Sequence, residues 1–266
     1  PGQRWALRCT PPLYLHNLEK DDYLQYIHDY EPVQKEVEHL RILLHGPINA
    51  GKSSFINSVE TALRNRMTGQ ALAGVGHDSF TTMYKTHKIQ KRKPGNFYPF
   101  VFNDIMGLEK DQGICVDDIK LAMKGHMKDG YVFNPHSAFT STDPHYNPTP
   151  TLSDRAHVLV CVVSASTLTL MSETETMRIP QMAILTKIDE ACPEVQDYIG
   201  NVYKSKFMKH QMENLSMFLG IPLNCIFPVK NYHCEICKDD AIETLILMAL
   251  KQMIDFGDDF VNNCNQ

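Results

Sequence analysis

Gly46-Pro47-Ile48-Asn49-Ala50-Gly51-Lys52-Ser53 is the stretch that decides the fold. A glycine opens it and Gly-Lys-Ser closes it, which is the spacing of a phosphate-binding loop. Gly51 keeps side chains clear, so the backbone N–H groups from Gly46 through Asn49 and Ala50 to Ser54 are free to point inward at phosphate oxygens. Lys52 brings charge to the β- and γ-phosphates, and the Ser53 hydroxyl suits Mg²⁺. The run Arg41-Ile42-Leu43-Leu44-His45 just before it is short and apolar, as a buried strand is. Just after it, Phe55, Ile56, Val59 and Leu63 mark one face of a helix, whose positive end adds to the site. Strand, loop and helix in immediate succession are the context the motif requires.

Working outward, Met83–Gln90 and Phe97–Asn103 read as extended runs joined by the turn Lys91-Arg92-Lys93-Pro94-Gly95-Asn96, an antiparallel pair at the sheet edge. The basic triplet is a charged turn first and a phosphate or lipid contact second. Asp104-Ile105-Met106-Gly107 closes the second run. Such a signal alone is a turn; at a strand end behind a phosphate loop it acquires a role. Asp104 reaches the Mg²⁺ shell through water, and the Gly107 N–H senses the γ-phosphate. Ser79-Phe80-Thr81-Thr82 lies between loop and strand. One of its threonines completes the metal shell in the triphosphate state, and order alone does not choose between them.

Thr186-Lys187-Ile188-Asp189 follows the apolar run Met182–Leu185. A carboxylate accepts hydrogen bonds from guanine N1–H and the 2-amino group together, and adenine offers neither group at that edge. Asp189 therefore selects guanine, with the Lys187 stem over the base plane. GTP-binding proteins commonly have Asn where Thr186 stands. One hydroxyl makes fewer bonds than an amide, so weaker nucleotide affinity is expected. Val229-Lys230-Asn231, after the strand candidate Asn224–Val229, takes the place of the loop that offers a backbone N–H to guanine O6. Phosphate loop, threonine, Asp-x-x-Gly and base reader occur in that order, which makes GTP or GDP with Mg²⁺ the expected ligand. A P-loop ATPase or kinase is the competing reading.

Leu108 occupies the position where small GTPases place a glutamine to orient the attacking water. An apolar side chain holds no water, so intrinsic turnover is expected to be slow, with Lys52 and the metal-shell threonine, Thr81 or Thr82, carrying what catalysis there is; Glu109 is an alternative for the water. No arginine sits inside the phosphate loop. A finger supplied in trans, by a nucleotide-dependent homodimer for example, would raise the rate by roughly 10³–10⁵. Two classes stay open: a slow GTPase, and a non-hydrolysing nucleotide-gated interaction module.

The remaining sequence bounds these readings. A chain of 266 residues that is 43% hydrophobic supports one sizeable core, and a net charge of −5 argues against a nucleic-acid partner. No stretch approaches the roughly 18 apolar residues of a membrane span. The eight cysteines are scattered, as reduced cytosolic thiols are, and Cys234-Glu235-Ile236-Cys237 beside His233 is half a zinc site without a second ligand pair. The start, Pro1-Gly2-Gln3-Arg4-Trp5, lacks both Met and a signal-peptide core, so a fragment of a longer protein is expected. Helices are expected at about Glu19–Tyr30, Val116–Lys128 and Pro193–Leu219. A last helix carries Ile242, Leu245, Ile246, Ala249 and Met253 on one face and ends near Gly257. Asn134–Thr151 shows no periodicity and is the candidate protein-contact segment. Alternating strands and helices predict an α/β fold, a P-loop NTPase of G-domain type. Its central sheet is mostly parallel, with helices on both faces and one antiparallel edge strand. Residues 1–38 form a helical appendage, and 39–266 the nucleotide domain with an insertion at about 111–155.

The chain resembles the interferon-induced protein 44 and 44-like family. The resemblance lies in Leu43–Ser58 around the phosphate loop, Asp104-Ile105-Met106-Gly107-Leu108, Tyr131-Val132-Phe133-Asn134-Pro135, Leu185-Thr186-Lys187-Ile188-Asp189, Leu219-Gly220-Ile221-Pro222, and Pro228-Val229-Lys230-Asn231-Tyr232. It spans nearly the whole chain from about Glu38. It implies an interferon-inducible, mainly cytoplasmic GTP-binding protein of the innate antiviral response, and it makes Thr81 the switch threonine. The crossover between Val163 and Gln181 leaves room for a shorter helix than the family usually has.

Overall fold

The structure is a computed structural model and describes residues 17–68, 82–105, 115–134, 136–166 and 181–264. Its elements are α1 (Asn17–Asp29), β1 (Leu40–His45), α2 (Lys52–Arg64), β2 (Lys85–Gln90), β3 (Phe97–Asp104), α3 (Val116–Met123), β4 (Val158–Ser164), β5 (Gln181–Thr186), α4 (Ile188–Ala191), α5 (Pro193–Asp197), α6 (Lys206–Leu219), β6 (Ile226–Pro228) and α7 (Asp240–Asn263). The strands form one sheet in the order β2-β3-β1-β4-β5-β6. Only β2 runs antiparallel to its neighbour.

Burial explains why β1 and β4 are so apolar. Both faces of the sheet are covered, and apart from the half-buried Arg41 every position on these strands is buried. Ile42 and Leu44 enter the main core with Phe55, Val59, Phe100, Phe102, Leu245 and Ile254, whereas Leu43 points the other way into a second cluster with Leu159, Ile119, Met123, Tyr131, Phe133 and Phe139. The edge strand β2 is different. Its Lys85 and Lys88 are exposed and only Ile89 is buried, a composition that discourages pairing with another chain. From β1 the chain goes to β3 on one side and later to β4 on the other. The crevice at the carboxyl end of β1 is thus the topological switch point where open α/β sheets bind ligands. With the phosphate loop placed there, the molecule is an α/β P-loop fold of GTPase type.

Three helices depart from their predicted bounds. α3 stops at Met123, not near Lys128, because Gly125 turns the chain at φ 83 and a Cβ there would meet the Asp154 backbone at 2.8 Å. The stretch Pro193–Leu219 is broken. The chain leaves helical geometry at Tyr198 (φ −155), and α6 restarts behind Ser205, whose hydroxyl accepts the Met208 N–H. α7 runs through Gly257 to Asn263. That glycine is a close-approach point, not a stop: a Cβ there would lie 2.8 Å from Leu40 Cδ2 and 2.9 Å from Val158 Cγ2.

Helix α1 packs along α7. Lys20 pairs with Asp240 at 2.6 Å and with the buried Glu243, Tyr26 donates to Asp255 at 2.6 Å, and Tyr30 to Asp258 at 3.0 Å. The partners climb both helices in the same direction, so the two are parallel. Burial opposes the Lys20 charge, but the two carboxylates outweigh it and raise its pKa. The segment 126–151 has no long element, yet its backbone is well paired. Tyr84 N–H donates to Tyr131 O (2.7 Å), Gly130 N–H to Tyr84 O (2.9 Å) and Phe133 N–H to Thr82 O (2.8 Å). The buried Asp118 carboxylate accepts the Phe139 N–H at 2.8 Å.

His157, fully buried before β4, couples stability to pH. Its Nδ1 accepts the Arg41 N–H at 2.8 Å, and its Nε2 faces Leu152 O at 2.9 Å. An amide only donates, so Nδ1 is bare, Nε2 carries the hydrogen, and the ring is neutral. Burial depresses its pKa to about 4, and burial together with Lys52 does the same to His45, from an ordinary 6.5. Between pH 6.5 and 4 the unfolded chain therefore binds protons that the folded chain refuses. The urea midpoint is expected to fall as pH drops through that window, and His157→Gln to flatten the slope. A midpoint independent of pH there contradicts the assignment.

Candidate functional site

The loop between β1 and α2 has the backbone its glycines demand. Gly46 sits at φ 145, and a Cβ there would lie 2.1 Å from Val162 O on the neighbouring β4. Asn49 at φ 60 and Gly51 at φ 94 complete the left-handed turns that bring the chain into α2. Phe55 N–H already donates to Gly51 O at 2.8 Å, so the helix begins within the loop. Lys52 is buried, and its ammonium donates to Gly46 O (3.1 Å) and Pro47 O (3.0 Å). Burial lowers its pKa, with the Asp104 carboxylate pulling the other way. An ammonium held mainly by neutral carbonyls is under-neutralised, which is the electrostatic condition for attracting an anion.

Two further strand ends converge on the loop. Ser53 Oγ donates to Asp104 Oδ2 at 2.8 Å, so the end of β3 meets the first turn of α2. Hydroxyl and carboxylate oxygens are the hard donors Mg²⁺ takes. At the end of β5, the fully buried Thr186 donates its hydroxyl to Ala50 O at 2.6 Å and lies 3.2 Å from Val163 O. Lys187 adopts φ 54, unusual for a residue with a side chain, and starts α4. Asp189 on that helix pairs with Lys230 at 3.2 Å, and Lys230 also reaches Glu235 at 3.0 Å. Burial disfavours the Lys230 ammonium, but Glu235 and Asp189 prevail and raise its pKa.

Past β6, Val229 spends its N–H on Leu185 O (2.9 Å), and Asn231 Nδ2 donates to Gly51 O at 3.1 Å. Tyr232 N–H donates to Ser58 Oγ (2.9 Å), which itself bonds Ser54 O (2.8 Å). The predicted residues Gly46, Asn49, Ala50, Gly51, Lys52, Ser53, Ser54, Asp104, Thr186, Lys187, Asp189, Val229, Lys230 and Asn231 thus gather at the carboxyl edge of the sheet. Thr81, Gly107, Leu108 and Glu109 lie outside the described residues. Two members went unnoticed in the sequence. Ser58 is one helical turn past Ser54 and reads as a plain helix residue; Glu235 reads only as a spacer between Cys234 and Cys237. Among the described residues, no three His, Cys, Asp or Glu side chains are grouped to hold a metal, and no helix is long and apolar enough to cross a membrane.

No protein-family model matches the chain. Solved structures similar to it include Era from Aquifex aeolicus bound to GDP.AlF4- (13% identity, TM-score 0.42, 83% of this chain and 57% of that one). Another is Toc33 from Arabidopsis thaliana in complex with Mg2+ and GMPPNP (14% identity, TM-score 0.46, 91% of this chain and 92% of that one). Scores of that size carry no weight here; strand order and loop geometry carry the fold. Sequence relatives are nearer. Human interferon-induced protein 44-like is 34% identical over 251 residues, which are 89% of this chain and 56% of that protein. Human interferon-induced protein 44 is 33% identical over 253 residues, 90% of this chain and 57% of that protein, and the mouse protein is 31% identical over 252, covering 90% and 60%. The chain spans a little over half the length of the relatives it matches. Over that shared span, the chain is similar to the interferon-induced protein 44 and 44-like proteins.

Proposed function

We propose that the chain binds a guanine nucleotide, GTP or GDP, with Mg²⁺, in the crevice at the carboxyl ends of β1, β3 and β5. The observation that carries this is the convergence on one loop: Thr186 holds Ala50 and Asn231 holds Gly51, so a base reader and a phosphate cradle share one rigid support. The residues fit the ligand. Gly46 leaves no room for a side chain, Lys52 is a buried cation in need of an anion, and Ser53 with Asp104 presents hard oxygens. In this reading Lys52 binds β- and γ-phosphate oxygens, and Ser53, Asp104 and Thr81 hold the metal. Gly107 N–H senses the γ-phosphate, Asp189 accepts from guanine, and Lys187 covers the base. Bound Mg²⁺ supplies neutralising charge between the phosphates. Lys230, anchored by Glu235, steadies the Asp189 carboxylate, and the backbone at Lys230 and Asn231 faces guanine O6.

Hydrolysis in this reading is slow, because Leu108 cannot orient water. A non-hydrolysing, nucleotide-gated interaction module is the second reading. Pairing of residues 82–84 with 130–133 favours it, because the chain directly after Thr81 is tied to the stretch that leads into Asn134–Thr151, the segment proposed to meet a protein partner. Phosphate release from GTP at high protein concentration separates the two: release no faster than in Lys52→Ala removes the GTPase. The relatives are named as interferon-induced proteins. We extend that setting, a cytoplasmic interferon-induced protein of innate antiviral defence, to this chain.

Asp189→Asn tests the base reader. Asparagine offers one donor and one acceptor where guanine needs two acceptors, while the xanthine C2 carbonyl welcomes the donor. GDP affinity is expected to fall about tenfold or more and XDP affinity to rise, measured by competition against a fluorescent nucleotide. Equal losses for both bases contradict the role.

A further inference from the structure

We propose that Asn231 does for the phosphate loop what an amide at position 186 would do, tying the base-reading edge to Gly51 and so positioning the loop for nucleotide. The inference rests on the guanine-nucleotide reading above and names the residue that joins its two halves.

A hydroxyl has one hydrogen to give. Thr186 gives it to Ala50 O at 2.6 Å, and with its side chain fully buried it has no second donor for the neighbouring carbonyl. That carbonyl, Gly51 O, is met from another strand end by Asn231 Nδ2 at 3.1 Å. The nitrogen must face Gly51, because the partner there is an acceptor. Gly51 is shaped for the approach: a Cβ there would lie 2.8 Å from Asn231 Nδ2 and 3.6 Å from Thr186 Oγ1. Both polar side chains thus press on the same residue. The backbone around Asn231 is held on both sides, by Val229 N–H on Leu185 O and by Tyr232 N–H on Ser58 Oγ, each at 2.9 Å. Asn231 Oδ1 is buried and has no hydrogen-bond partner among the described residues. An orphaned acceptor costs about what one hydrogen bond returns. Asn231 therefore contributes little to the stability of the folded chain, and its consequence lies in the placement of Ala50-Gly51-Lys52.

The test is titration of the whole chain, with Mg²⁺, by a fluorescent GDP analogue in the wild type, N231A, N231L and the T186N/N231A double variant. N231L keeps the side chain's branched shape and removes the donor without adding a charge, so it serves if N231A fails to fold. Both single variants are expected to bind about tenfold more weakly. Their nucleotide-free melting temperatures should stay within about 4 °C of the wild type. The double variant is expected to recover most of the affinity, since an amide at 186 restores the second donor. Single variants binding within twofold of the wild type, or a double variant no tighter than N231A, overturn the inference while leaving the nucleotide reading in place. A wild type that binds no GDP overturns both.

Discussion

Replacing Gly46 with alanine is expected to cost more than about 4 kcal/mol of folding stability, enough to leave little folded protein. The new Cβ would lie 2.1 Å from Val162 O and 3.0 Å from Val162 C, which are backbone atoms of a central strand. A side chain could rotate away; β4 cannot, because it is paired on both sides by β1 and β5. Gly46 also sits at φ 145, where an L-residue is strained whatever the space. Gly95→Ala is the control. Its φ is 83 but nothing lies within 4 Å of its Cβ, so only the conformational cost of about 1–2 kcal/mol applies. Urea unfolding of the two variants separates clash from strain. Comparable losses would mean that the loop does not lie against β4 as described.

Lys52→Ala is expected to weaken GTP binding several hundredfold, about 3–4 kcal/mol, because two charge-assisted hydrogen bonds, to the β- and γ-phosphates, vanish at a buried position. The ammonium in the folded chain rests on Gly46 O and Pro47 O, contacts that belong to the loop itself. A phosphate oxygen is a far better partner than a carbonyl, so the gain on exchanging one for the other is the driving force that alanine removes. Calorimetric titration measures it. A loss under about tenfold would mean that Lys52 is a structural brace of the loop, not its phosphate ligand.

The part of the fold legible in the sequence is the part whose signals are local. Strand β1, the loop and α2 are contiguous, so apolar run, glycine spacing and helical stripe confirm one another within some two dozen residues. β2 and β3 were equally clear, because a Pro-Gly-Asn turn separates two extended runs. The misread positions are those where a distant neighbour decides. Gly257 has the composition of a helix stop, yet it continues α7 because Leu40 and Val158 press on it. Tyr198 and Ser205 break a stretch that an apolar stripe alone runs together. The same holds at the site. Asp104 and Asp189 announce themselves by motif, whereas the side-chain grip of Asn231 on Gly51 spans 180 positions and no spacing rule encodes it. Glu235 escapes for a similar reason: its partner Lys230 is itself placed by the end of β6.

The most direct measurement is calorimetric titration of the wild-type chain with GDP and, separately, ADP, each with Mg²⁺. One saturable GDP site, with ADP at least about tenfold weaker, is the predicted result. No heat from GDP, or equal binding of the two purines, would contradict a cleft that cradles phosphate at Lys52 and reads guanine at Asp189.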